Sequence, residues 1–149
     1  MRKTQILIVV GFLVTLSSCT ILQTATRNNM NCPDAPKCVS SQVSNKNYFV
    51  EPFTFHDQPV IAMRRLKDAL LNEKRVTIIE ETPTYLRAEV RSLIFRFVDD
   101  VEFTLAADKG LIQIRSSARI GYSDFGVNRR RIERIRKLYE NKKNQTVNP

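Results

Sequence analysis

Asp99, Asp100 and Glu102 put three carboxylates close together in the chain, and an arginine-dense stretch follows from Arg115 to Arg136. That stretch reads Arg-Ser-Ser-Ala-Arg, then Gly121-Tyr122-Ser123-Asp124-Phe125-Gly126, then Asn128-Arg129-Arg130-Arg131. Three chemistries are open to such residues. Ser117 or Ser123 could act as a nucleophile, and the carboxylates could serve as general acid–base groups or hard-metal ligands. The arginines could hold a carboxylate or phosphate through paired N–H donors. The serine reading lacks a base, because the single histidine, His56, is remote in sequence and no Gly-x-Ser-x-Gly elbow is present. The carboxylate reading has its own difficulty, since adjacent Asp99 and Asp100 in a regular strand point to opposite faces. Non-catalytic binding of an anionic envelope ligand or a partner protein through an arginine-rich sheet face and loop therefore leads, and an envelope hydrolase using Ser117, Ser123 or the three carboxylates is the alternative.

The elements that must position these groups follow from periodicity. Tyr48–Phe55 reads as an edge strand or irregular arm around Pro52. Asp57 can cap a helix with Pro59 in its first turn, and Val60, Met63, Leu66, Ala69 and Leu70 repeat at helical spacing to about Asn72. Val76–Glu80, Tyr85–Ser92, Phe95–Ala106 and Leu111–Ile120 read as strands, with Asp108-Lys109-Gly110 turning the last pair. Asn128 can cap a final helix carrying Ile132, Ile135, Leu138 and Tyr139 to about Asn141. The order predicts an α+β domain, a mostly antiparallel sheet of about four to five strands with two helices packed on one face.

Period-two alternation divides the sheet. Leu86, Ala88, Val90, Phe97, Val101, Phe103, Leu105, Ile112, Ile114 and Ala118 share the core face. Arg87, Glu89, Arg91, Asp100, Glu102, Arg115, Ser117 and Arg119 share the other. A turn centred on Asp108 and Lys109 sets Glu102 opposite Arg115 and Asp100 opposite Ser117. This array reads either as a solvated face with cross-strand ion pairs, each contributing a few tenths to about 1 kcal/mol, or as the floor of an anion pocket beside the glycine loop. Asp99 breaks the alternation by taking core parity, so the strand bulges there or Asp99 reaches an arginine or backbone donors. Arg129, Arg130 and Arg131 begin the last helix, where the macrodipole disfavours cations, so Asp99, Asp100, Asp124 or an external anion should compensate. The expected ligand-binding set is Arg91, Asp99, Asp100, Glu102, Arg115, Ser117, Arg119, Tyr122, Ser123, Asp124, Asn128, Arg129 and Arg131.

The amino-terminal residues read as an address. Arg2 and Lys3 precede an apolar run, Ile6 to Leu16, that is too short to span a bilayer and ends in Leu16-Ser17-Ser18-Cys19. This tetrapeptide matches a bacterial lipobox, which makes residues 1–18 a lipoprotein signal peptide and Cys19 the acylated, palmitate-bearing residue. Thr20, not Asp, follows it and favours the outer membrane facing the periplasm. Removing Arg2 and Lys3 leaves 22 basic against 15 acidic residues and lowers the net charge from +9 to +7. Outside the cytoplasm such charge meets headgroups and acidic envelope polymers, so nucleic acid is not the expected partner. Residues 19–47 read as a polar tether with an expected span of about 30 Å. Within it Cys32 and Cys38 are the thiols remaining once Cys19 is acylated, and an oxidising compartment predicts a disulfide. A metal pair lacks a nearby histidine, and the spacing is wider than Cys-x-x-Cys. No cofactor or metal is expected. Residues 48–141 read as one domain and residues 142–149 as a disordered tail.

Cys32-Pro33, Cys38-Val39-Ser40-Ser41, Phe97-Val98-Asp99-Asp100-Val101-Glu102-Phe103, and the run from Arg115-Ser116-Ser117-Ala118-Arg119 through Gly121-Tyr122-Ser123-Asp124-Phe125-Gly126 to Asn128-Arg129 and Arg131-Ile132, resemble the domain-of-unknown-function family 1499. The resemblance covers about Asn31 to Leu138. It implies a bacterial envelope or plastid setting and supplies no activity, cofactor or catalytic residue.

Overall fold

The computed structural model describes residues 30–147, with side chains through residue 143. The signal-like segment and Cys19 lie outside the described residues. Six strands form one sheet: β1 (Cys38–Ser40), β2 (Phe53–Thr54), β3 (Val76–Glu81), β4 (Tyr85–Arg91), β5 (Val98–Ala106) and β6 (Leu111–Ala118). Their order is β1-β6-β5-β4-β3, every named pairing is antiparallel, and β2 also pairs with β6. Helices α1 (Pro59–Leu71) and α2 (Val127–Val147) complete an α+β fold with slightly more strands than the periodicity predicts. Among the described residues, no helix is long and apolar enough to cross a membrane.

The core follows from alternation. Leu86, Ala88 and Val90, then Val101 and Phe103, then Ile112 and Ile114 turn one face of β4, β5 and β6 inward. Against it pack Ala62, Met63, Leu66, Ala69 and Leu70 of α1 and Ile132, Ile135 and Tyr139 of α2. Phe53 fills the gap between sheet and helix, with its ring centroid 6.0 Å from Phe103 and 5.2 Å from Tyr139. That burial holds a strand of only two residues in place. Gly110, at φ 63°, closes the β5–β6 hairpin, and a Cβ there would stand 3.0 Å from the Phe55 carbonyl oxygen. The resulting register sets Glu102 opposite Arg115 and Asp100 opposite Ser117, as the turn predicts.

Several expectations are corrected. Cys38–Ser40, read as tether, is a buried strand on the edge of β6, and Met30 is also buried. Its polar composition hides this role because the strand covers a backbone edge and contributes few large side chains. Gln58 stands at the N-cap position of α1 without a side-chain capping bond, and Asp57, expected to cap it, forms an ion pair with Arg65 instead. Arg65 is buried, with one guanidinium nitrogen donating to the Tyr139 hydroxyl at 3.2 Å, whereas Val60 is 58% exposed. Phe97 is exposed rather than core, because a turn over 92–97 delays β5 until Val98. Ser92 and Phe97 bracket that turn with reciprocal bonds of 2.8 and 2.9 Å. Helix α2 continues through residues expected to be disordered from 142 onward, since no glycine or proline interrupts it before Pro149.

A disulfide joins Cys32 and Cys38, whose Cα atoms are 5.5 Å apart. It closes a short loop at the start of β1. Replacing both cysteines by serine is expected to lower the unfolding free energy by about 2 kcal/mol, the loop-closure value for so small a ring, as read by urea denaturation.

Candidate functional site

The outer face of the sheet carries a ladder of alternating charge. Glu102 accepts a 2.7 Å bond from Arg115, and Tyr85 donates its hydroxyl to the second Glu102 oxygen at 2.9 Å. Burial and this carboxylate push the Tyr85 phenol above its ordinary pKa. One strand pair further along, Arg119 grips Asp100 with two bonds of 2.7 Å and reaches Glu89 at 2.5 Å. Arg87 stands 3.5 Å from Asp100, and Arg91 stands 3.4 Å from Glu89. Hydrogen bonding from Arg119 holds the Asp100 carboxyl below its ordinary pKa against the opposing effect of burial. Ser117 sits between Asp100 on β5 and Cys38 on β1, nearly buried, with its hydroxyl 3.5 Å from the Ala118 carbonyl.

Asp99 lies on the opposite face without a bulge, paired with Val90 on one side and Ala118 on the other. Its carboxylate accepts a 2.6 Å bond from Arg131 of α2, and both side chains are buried. Arg131 also donates to the Asn128 amide oxygen at 2.6 Å, and the Ser116 hydroxyl donates to the same oxygen at 2.5 Å. The Asn128 amide nitrogen donates to the Lys37 carbonyl at 3.2 Å. Asn128 is thus fully buried inside the first turn and is not the cap. Asp124 takes that role, its two oxygens accepting from the Gly126 and Asn128 backbone N–H groups at 2.9 and 2.8 Å. Asp124 therefore offsets the dipole and Asp99 the charge of Arg131, whereas Arg129 and Arg130 donate to the Asn47 and Phe125 carbonyls. Asp100, the third candidate, goes to Arg119 instead.

The residues expected to form one site are divided among four places. Arg91, Asp100, Glu102, Arg115, Ser117 and Arg119 line the outer face, while Asp99, Asn128 and Arg131 are interior. Ser123, Asp124 and Arg129 border a shallow cavity of about 310 Å³ together with Asn47 and Tyr48. Arg129 spans it by donating to the Asn47 carbonyl at 2.8 Å. Tyr122 points into solvent. Period-two reading finds the ladder but misses Ser116 and the Lys37 carbonyl as partners of Asn128, because a serine of core parity reads as filler and a carbonyl carries no side-chain signal. The serines do not meet a base: Ser123 accepts the Phe125 N–H at 3.2 Å, and Ser117 faces a carboxylate already held by Arg119. Among the described residues, no group of three or more His, Cys, Asp or Glu side chains converges as metal ligands would.

Two predictions separate interior from surface. Asp99→Asn leaves the buried Arg131 guanidinium without its carboxylate and is expected to cost about 3–5 kcal/mol, whereas Arg119→Ala should cost no more than about 1 kcal/mol, both read by urea unfolding. Acid titration tests Asp100. With its folded pKa below the unfolded one, the carboxylate contributes stability that is complete above the unfolded value near about 4 and is lost as pH falls through the folded value. Melting temperatures measured on the acid side should fall less steeply for Asp100→Asn than for the parent.

No curated protein matches the chain. A family model does, over residues 30–138, from the strand-forming amino-terminal segment through the buried face of α2. The matched span takes in the disulfide, the charge ladder, the Asp99–Arg131 pair and the glycine loop, which is most of what the fold positions. The chain belongs to the family described as Protein of unknown function (DUF1499).

Proposed function

We propose that this protein is a lipid-anchored, non-catalytic module of the cell envelope that binds a partner protein through the charge ladder of its sheet. The observation that carries the reading is that Arg87, Arg91, Arg115 and Arg119 each already stand within ion-pair distance of a carboxylate. A free anion would have to displace an internal carboxylate, which weakens the simple anion pocket. A partner surface with the complementary alternation meets side chains already ordered by their neighbours, so little rotamer freedom remains to be lost on binding. The Cys32–Cys38 disulfide supports an oxidising compartment. The signal-like residues 1–18 and Cys19 supply the anchor in this reading, with an outer-membrane, periplasm-facing location.

The hydrolase alternative has less support. Its serines lack a base within reach, and its carboxylates are split between the two faces of β5. Two measurements test the proposal. Incorporation of an alkyne-tagged fatty acid is expected in the parent and lost in Cys19→Ser. Cross-linked partners recovered from envelopes should disappear in Arg115→Ala with Arg119→Ala while the melting curve stays cooperative. Unchanged partners in that folded variant would overturn the assignment of the ladder.

A further inference from the structure

At one end of the sheet the 92–97 turn leads into β5 and the 119–126 loop leaves β6, and the neighbouring ends of these strands are joined by the Arg119 N–H donating to the Val98 carbonyl at 3.2 Å. Leu93, Ile94 and Phe95 stand exposed on the first, and Ile120, Tyr122 and Phe125 on the second. Ile94 is 79% and Phe125 86% exposed, so neither contributes a packed contact to the fold. Phe95 stacks on Phe97 with centroids 5.5 Å apart, which leaves an aromatic surface facing outward. Each loop also holds a side-chain-bearing residue in the left-handed region, Arg96 at φ 54° and Phe125 at φ 51°. Bulky residues are disfavoured there, and Phe125 gains no compensating burial. Exposed apolar side chains gathered at one end of a domain mark an interaction surface.

Charge and chain path identify what meets it. Arg96 carries no ion pair among the described residues, and Arg130 leans over the second loop to donate to the Phe125 carbonyl at 2.9 Å. The one acid of the two loops, Asp124, has both oxygens occupied by backbone N–H groups. The rim is therefore cationic around an apolar tip. The described chain begins at Met30, and the Asn31 carbonyl accepts from Arg115 at 3.0 Å. Arg115 is three residues before the end of β6, about 10 Å from the loops. Cys19 precedes Met30 by eleven residues, a reach of at most about 40 Å. Acyl chains on Cys19 would thus leave the apolar end within reach of the bilayer.

We propose that this end of the sheet is a membrane-docking tip, seated at the headgroup level of a bilayer containing acidic phospholipid. Aromatic and aliphatic side chains enter the interface, and arginine meets the lipid phosphates at its rim. The lipid-anchor reading supplies delivery to the membrane, while the tip itself is a separate contact. The chain contains no tryptophan, so a single one is an unambiguous reporter. Full-length Phe125→Trp and Ile94→Trp proteins, reconstituted on phosphatidylethanolamine–phosphatidylglycerol vesicles with brominated acyl chains, are expected to show blue-shifted and largely quenched emission. Val60→Trp reports from the opposite end, beside Thr82 and Pro83, and should show neither change. Tip reporters that behave like Val60→Trp on vesicles retaining the anchored protein would overturn the docking and leave the anchor standing. A blue shift that grows with protein concentration in the absence of vesicles would give the tip to a second copy and likewise overturn it. Tip quenching in protein whose intact mass shows no acyl groups would support the docking and remove the anchor.

Discussion

The pairing of Asp99 with Arg131 is the constraint on which the rest of this domain depends. Two opposite charges from distant parts of the chain are buried between sheet and helix, where desolvation opposes them and their partners offset that cost in part, the Arg131 Nε being buried without one. Asn128 gives the arginine a second acceptor, takes the Ser116 hydroxyl on the same oxygen, and donates to the Lys37 carbonyl. One side chain thus ties β6, α2 and the segment leading into β1. Because such a network is costly when half satisfied, it selects one docking angle for α2 and one path for residues 36–37.

That constraint also explains why a loop bounded by two glycines follows β6. The chain must leave the sheet at Ala118, turn, and start a helix whose first turn brings Asn128 and Arg131 back under Ser116 and Asp99. Asp124 begins the helix by accepting from two backbone N–H groups, while its own N–H donates to the Pro36 carbonyl at 3.1 Å. Gly121 and Gly126 take positive φ values of 90° and 74°, which shortens the return. The arginines on either side of this loop then acquire opposite characters. Arg115 and Arg119 lie on the solvent side of the sheet with half-buried carboxylate partners, and Arg131 enters the interior.

Much of this was legible in the residues. Alternation in β4, β5 and β6 places Arg87, Glu89, Asp100, Glu102, Arg115 and Ser117 on one face, and the Asp108-Lys109-Gly110 turn sets their register. The odd parity of Asp99 announces a buried partner without naming it, since the partner lies 32 residues away on a helix. The misreadings have separate physical causes. Cys38-Val39-Ser40 lacks large apolar side chains, so a strand that mainly covers a backbone edge looks like linker. Val60 and Phe97 are apolar and correctly spaced, yet the elements holding them turn away from the core at their ends. Asn128 has the composition of a cap, and only the position of Asp124, stabilised by contact with Pro36, moves the helix start ahead of it.

The disulfide at the start of β1 determines how the domain responds to mechanical load. A pull on the chain ahead of Met30 first meets the Asn31 contact with Arg115 and then arrives at Cys32. From there the covalent cross-link carries the tension directly to Cys38, on the edge of β6. Residues 33–37 are bypassed. The Pro36 carbonyl, which holds Asp124, therefore lies off the direct path, whereas the Lys37 carbonyl shares the loaded edge through its bond to Ala118. Tension is delivered first to a strand edge, and the Pro36 contact that starts α2 lies outside that line.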